Sequence, residues 1–143
     1  MATILIAEDD PRVASLIEKG LRANGYSTIV ADDGEQARRL GLTEEFDLMI
    51  LDMGLPERDG FEVLQELRSH GQTVPVIILT GRTEREAAAC LEGGADDYMR
   101  KPFHFEELVA RVGARLRTKA ELDRLSRIVE ELQQSHVGET SDR

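Results

Sequence analysis

Thr3-Ile-Leu-Ile-Ala7-Glu8-Asp9-Asp10-Pro11 is the stretch on which the fold turns. A short apolar run reads as a buried strand, acidic residues end it, and Pro11 suits the first turn of a helix, where its missing N–H costs nothing. Behind it Val13, Leu16, Ile17 and Leu21 fall at helical spacing, and Gly25 suits the stop. The strand-then-helix pattern recurs. Tyr26–Ala31 is β-rich, and Asp33-Gly-Glu-Gln36 has the form of a capping box for a helix through about Leu42. Asp47–Leu51 predicts a third strand, with Phe61, Leu64 and Leu67 marking a third helix that closes near Gly71. Pro75–Thr80 predicts a fourth strand, and Thr83-Glu-Arg-Glu86 caps a helix ending at Gly93-Gly94. Asp97–Arg100 is a short fifth strand; Leu108, Val109, Val112 and Leu116 mark a fifth helix. Five such units argue for an α/β fold, a doubly wound parallel sheet with five helices on its two faces. The strands are continuously apolar rather than alternating, which fits a sheet covered on both sides.

The 143 residues make one domain with an appendage. A chain of this size buries roughly 70% of its unfolded surface and needs no disulfide or structural metal to fold. With 18 Lys and Arg against 28 Asp and Glu, the net charge is −10, a poor match to nucleic-acid phosphates. The single cysteine, Cys90, allows no intrachain disulfide and fits a reducing, cytoplasmic compartment. No apolar run approaches the ~18–20 residues of a membrane span, and the N-terminus shows no secretory signal.

Ligands of such folds bind outside the carboxyl ends of the strands. Glu8-Asp9-Asp10 follows the first predicted strand, Asp52 the third and Lys101-Pro102 the fifth, while Thr80 ends the fourth. Asp9, Asp10 and Asp52 would crowd one pocket, with Thr80 and Lys101 on its rim. Two carboxylates ~4 Å apart repel by roughly 4 kcal/mol at an effective dielectric near 20. Lys101 supplies one compensating charge, and a hard divalent ion such as Mg²⁺, which takes oxygen ligands, is the natural second. Taken singly, each residue has a plainer reading: Asp10 as a helix N-cap, Thr80 as a strand end, Asp52 as part of a turn, Lys101 as a solvated cation. The convergence of four strand ends favours the site.

These motifs, with Leu51-Asp52-Met-Gly-Leu-Pro56, Asp59-Gly60, Leu79-Thr80-Gly81, Gly94-Ala-Asp-Asp-Tyr98 and Lys101-Pro102-Phe103, stand in order from Thr3 to Arg117. In this the chain resembles the receiver domain of two-component response regulators. The resemblance implies a flavodoxin-like strand order 2-1-3-4-5. It makes Asp52 the phosphoacceptor for a phosphohistidine on a partner histidine kinase or phosphotransfer protein. It implies Mg²⁺ held directly by Asp10 and Asp52, through water by Asp9, and by the backbone carbonyl of Gly54. Lys101 would pair with the phosphoryl group, Thr80 would donate its hydroxyl and move inward, and Tyr98 would change rotamer, switching the helix 4–strand 5–helix 5 surface. A cis Lys101–Pro102 peptide is also implied. The domain would catalyse only its own phosphorylation and dephosphorylation.

Two other classes fit less well. A Mg²⁺-dependent phosphatase with an aspartyl nucleophile would want a second acid where Gly54 stands. A flavin module would want a phosphate loop where Glu8-Asp9-Asp10 stands. Gly54 is small where the family often carries a screening side chain, so a shorter phosphate lifetime is expected, partly offset by Arg82. Ala87-Ala88-Ala89 stands where receivers joined to winged-helix domains usually place a basic residue for a dimer across helix 4, strand 5 and helix 5. Asp97, Glu107 and Arg111 match the rest of that pattern. Residues 1–117 read as the receiver and 118–136 as a helical extension, with 137–143 as a disordered tail. In the extension Leu122, Leu125, Val129 and Leu132 are spaced three, four, three. That spacing suits a heptad seam and self-association, an amphipathic helix folded back on the chain, or a connector to an output domain. Cys90 reads as a packed small residue, and His70, His104 and His136 form no metal set.

Overall fold

A computed structural model of the chain describes residues 2–81 and 84–141; the side chains of residues 84, 85 and 136–141 lie outside that description. Five strands and five helices alternate: β1 (Thr3–Ala7), α1 (Pro11–Ala23), β2 (Ser27–Ala31), α2 (Gly34–Thr43), β3 (Leu48–Asp52), α3 (Gly60–Ser69), β4 (Val76–Thr80), α4 (Glu84–Glu92), β5 (Asp97–Arg100) and α5 (Phe105–Ser141). The strands form one parallel sheet in the order β2-β1-β3-β4-β5, as expected.

The continuous apolar runs follow from burial on both faces. Side chains alternate across a strand. Ile4, Ile6, Leu48, Ile50, Ile77 and Leu79 pack with Ile17 and Leu21 of α1 and Leu108 and Val112 of α5. Leu5, Ala7, Met49, Leu51, Val76 and Ile78 pack with Ala37, Val63, Leu64, Leu67 and Cys90 of α2, α3 and α4. Truncating one of these leucines or isoleucines to alanine costs about 2–5 kcal/mol.

Local signals place the ends. Asp10, Asp33 and Asp59 cap α1, α2 and α3 through side chains that accept from Arg12, Gln36 and Glu62 N–H. Gln36 reaches back to the Asp32 N–H, one residue before the cap. Gly25, Gly71 and Gly94 follow α1, α3 and α4 with positive φ, the conformation that closes a helix at least cost to glycine. Thr83, the expected cap of α4, lies outside the described residues.

Strand boundaries shift by one residue in three places. β3 covers Leu48–Asp52, not Asp47–Leu51: Asp52 pairs with Leu79 and belongs to the ladder, while the Asp47 carboxylate accepts from Thr3 N–H at 2.8 Å. β4 starts at Val76 because Pro75 has no N–H to donate, although its carbonyl accepts from Met49 at 2.9 Å. Tyr26 precedes β2, its N–H still bonded to Leu21 of α1. The helix after β5 runs unbroken from the core into the extension, and its backbone continues past residue 136 to Ser141.

Candidate functional site

Glu8 sits one residue beyond β1, with its N–H on the Ala31 carbonyl at 3.0 Å and its side chain fully buried. Asp52 closes β3, 5% exposed. A tight loop holds it: Gly60 N–H donates to Met53 O at 3.1 Å, and Gly34 N–H donates to Pro56 O at 2.9 Å. Gly60 has to be glycine, because a Cβ would stand 2.5 Å from the Asp52 carbonyl oxygen. Arg58, on the same loop, joins a closed ring of charges with Glu35, Arg38 and Glu66, at 2.7 to 3.4 Å. Thr80 closes β4, buried, and its carbonyl accepts the Lys101 N–H at 2.8 Å. The Lys101–Pro102 peptide is cis.

Carboxylate oxygens of Glu8, Asp9 and Asp52 lie within 4.8 Å of one another. Lys101 Nζ donates to Glu8 Oε2 at 3.1 Å and stands 3.2 Å from Asp52 Oδ2. At 4.8 Å, Glu8 and Asp52 repel by roughly 3 kcal/mol at an effective dielectric near 20, so one lysine does not neutralise the set. Burial first, then the Asp52 charge, pushes the Glu8 carboxyl above its ordinary value. Burial works against the Lys101 ammonium, but Asp52 and Glu8 outweigh it and raise its pKa. Three hard oxygen donors beside one lysine leave two negative charges, a set that matches a divalent hard cation.

The structure brings Asp9, Asp52 and Lys101 together, as the sequence predicts, and adds Glu8. It does not bring Asp10: its carboxylate accepts the Arg12 N–H at 2.9 Å as the cap of α1 and stands outside the cluster. The acidic pair is therefore Glu8-Asp9, one residue earlier than expected. Asp10 before Pro11 carries the signal, since a cap spends its carboxylate on its own helix. Gly54 is exposed, donates its N–H to Asp52 Oδ1 at 3.3 Å, and would offer a Cβ open space. Tyr98 is half-buried against the α2–α3–α4 side of the core and lines a cavity of about 360 Å³ with Pro102, Phe103, Glu107 and Arg111. Arg82 lies outside the described residues. Within the chain Arg111 bridges Asp97 and Glu107. Ala87 is buried, while Ala88 and Ala89 are exposed. A second cavity, about 340 Å³, opens beside Glu8 and Asp9 between α1 and β2. Among the described residues no helix is long and apolar enough to cross a membrane.

Residues 4–113 match the model of the response regulator receiver domain family. The response regulator protein PmrA of Pseudomonas aeruginosa is 46% identical over 112 residues, 78% of this chain and 51% of that protein. The chain thus spans about half the length of such relatives. Among solved structures, the Francisella response regulator 1452 receiver domain superposes with a TM-score of 0.80 at 34% identity, covering 83% of this chain and 99% of that one. The response regulator protein TrrA of Thermotoga maritima, solved in complex with Mg²⁺-BeF, gives 0.73 at 31% identity, with 80% and 99% covered. Sheet order, acidic cluster and family match agree: this chain belongs to the receiver domain family of response regulators.

Proposed function

We propose that Asp52 accepts a phosphoryl group from a phosphohistidine on a partner histidine kinase or phosphotransfer protein. The observation that carries this reading is the ammonium of Lys101 set between the buried carboxylates of Glu8 and Asp52 at the open end of the sheet. Asp9, Asp52 and the Gly54 carbonyl would hold Mg²⁺, with Glu8 completing the negative set; the TrrA neighbour, solved in complex with Mg²⁺-BeF, supports a metal in this family fold. Bound there, the ion would neutralise charge on the incoming phosphoryl oxygens. The Asp10 carboxylate stays with α1.

Phosphoryl transfer depends on positioning and charge neutralisation more than on covalent machinery. One Asp52 oxygen forms the new O–P bond while the P–N bond breaks, its electron pair returning to the imidazole. Lys101 releases its pairing with Asp52 and follows the phosphoryl oxygens. Thr80, one residue past Leu79, which pairs with Asp52 across the β3–β4 ladder, donates its hydroxyl to the phosphoryl group. The product adds about −1.5 to −2 charges. That charge draws Thr80 and Lys101 inward, and Tyr98 moves with them, changing the α4–β5–α5 surface. Gly54 leaves the phosphoryl group open to water, which shortens its lifetime.

The test is phosphate uptake from a small acyl-phosphate donor with Mg²⁺, read by intact mass. The chain gains one acid-labile phosphoryl group, and Asp52→Asn gains none. Undiminished uptake by Asp52→Asn would overturn the assignment.

A further inference from the structure

Past the receiver core, α5 carries its apolar residues into solvent. Leu122, Leu125, Val129 and Leu132 are 59%, 46%, 51% and 66% exposed, with Ile128 beside them at 44%. The helix does not turn this stripe toward its own core. At about 100° per residue, the stripe lies roughly 120° around the axis from Leu108, Val112 and Leu116, the face packed on the sheet. Among the described residues nothing buries the stripe.

We infer that the stripe pairs with a second copy of this chain as a short parallel coiled coil. Spacings of three, four and three define a heptad with Leu122 and Val129 at a, and Leu125 and Leu132 at d. A β-branched residue at a with leucine at d favours two parallel strands. Of the e and g positions beside the seam, Ser126, Ile128, Gln133 and Ser135 are uncharged and Glu121, at the first g, is acidic. The charged residues Asp123, Arg124, Arg127, Glu130 and Glu131 fall at the outer b, c and f positions. In a parallel pair Glu121 faces Ser126 of the second copy, so over residues 122–132 a chain of net charge −10 brings its copies together without facing like charges. Lys119 pairs with Asp123 and Arg124 with Glu121 on the same helix, at 3.0 and 2.6 Å, which supports the helix as a monomeric rod. Toward the core the preceding a and d positions are Thr118, Arg115 and Arg111, with both arginines tied to Asp97 of their own chain, so the apolar seam ends at Leu122. The pairing is independent of the phosphoacceptor reading.

Sedimentation equilibrium of the full chain over ~10 μM to ~1 mM tests it. The expected result is a concentration-dependent rise toward twice the 16.0 kDa chain mass. The double variant Leu125→Asp, Leu132→Asp raises the dissociation constant by about 100-fold or more. Arg127→Asp, at an outer position, leaves it within a few-fold, and both variants keep the wild-type melting transition, since none of these residues packs on the receiver. Orientation is read separately. Leu132→Cys forms an interchain disulfide under oxidising conditions, because only parallel strands set residue 132 opposite itself; Cys90 is buried and does not compete. A wild-type chain monomeric across the range, or a double variant that dimerises as well as wild type, would overturn the pairing. Failure of Leu132→Cys to cross-link in a dimeric sample would overturn its parallel sense.

Discussion

Replacing Gly60 by alanine perturbs the loop that carries the proposed phosphoacceptor. The added Cβ would meet Asp52 O at 2.5 Å and Met53 Cα at 2.9 Å, both backbone atoms that no side-chain rotation relieves. The loop must shift, and overpacking of this kind costs about 1–3 kcal/mol. With unfolding entropy near 2.1 cal/mol/K per residue over the receiver, the melting temperature falls by roughly 4–12 °C. Because the displaced atoms include the Asp52 backbone, the carboxylate moves relative to Lys101 Nζ, now 3.2 Å away. Phosphate uptake should slow in the fraction that remains folded. Gly54→Met, six residues earlier, makes the opposite case. Its Cβ meets nothing within 4 Å, so stability stays within about 0.5 kcal/mol, while the side chain shields the phosphoryl group and lengthens its lifetime. Differential scanning calorimetry and a timed acyl-phosphate chase measure both. A Gly60→Ala chain that melts and phosphorylates like wild type would refute the steric account. A Gly54→Met phosphate lost as fast as wild type would refute the shielding account.

Asp9 and Asp10 separate the proposed metal holding from helix capping. Asp10→Ala is expected to cost about 0.5–2 kcal/mol of stability yet leave Mg²⁺ affinity nearly unchanged, while Asp9→Asn does the reverse, as thermal melts with and without Mg²⁺ would show. The Glu35 carboxyl is held at about 2, below its ordinary 4.5, first by the hydrogen bond from Arg38, with burial opposing it, and then by the Arg38 and Arg58 charges and the Arg58 hydrogen bond. Between those values the unfolded chain binds the extra proton, so this contribution to stability is complete above pH 4.5 and fades as pH falls toward 2. The stability gap between wild type and Glu35→Gln should close across that window and narrow in high salt, because the ring of charges is partly exposed; a gap independent of both would contradict the pairing.

The fold was legible because its signals are local and mutually consistent. Apolar strands, aspartate caps and glycine stops each act over a few residues, and each agrees with a parallel sheet. The one-residue slips came from tertiary pairing. Asp52 belongs to β3 because it meets Leu79 across the ladder, and Asp47 stands outside with its carboxylate on the Thr3 N–H; neither contact is contained in the strand's own residues. The acidic cluster failed in the same way by one position. Three consecutive acids follow β1, and composition treats them alike. What separates them is geometry: Glu8 turns into the sheet end, Asp9 reaches the cluster from its exposed position, and Asp10 spends its oxygen on α1. The cap was readable from Asp10-Pro11; the inward turn of Glu8 was not, because it depends on Lys101, 93 residues away.

That long-range tie also explains how a charge at Asp52 can reach the surface. Lys101 holds Asp52 by its side chain and Thr80 by its N–H, so the ends of β3 and β4 and the start of the β5–α5 connection share one residue. Thr80 pairs in register with Arg100, and Tyr98 and Asp97 continue the same edge strand. Asp97 in turn fixes Arg111 and Arg115 on α5. Under the proposed phosphorylation, a phosphoryl group that drew Lys101 away from Glu8 would pull on the strand whose other residues anchor α5. Side-chain hydrogen bonds and salt bridges of this kind have two discrete arrangements rather than a continuum, which is what a switch requires. The apolar seam lies on the continuation of the same helix, so a change in how β5 holds α5 would alter the angle between paired receivers without altering the seam itself.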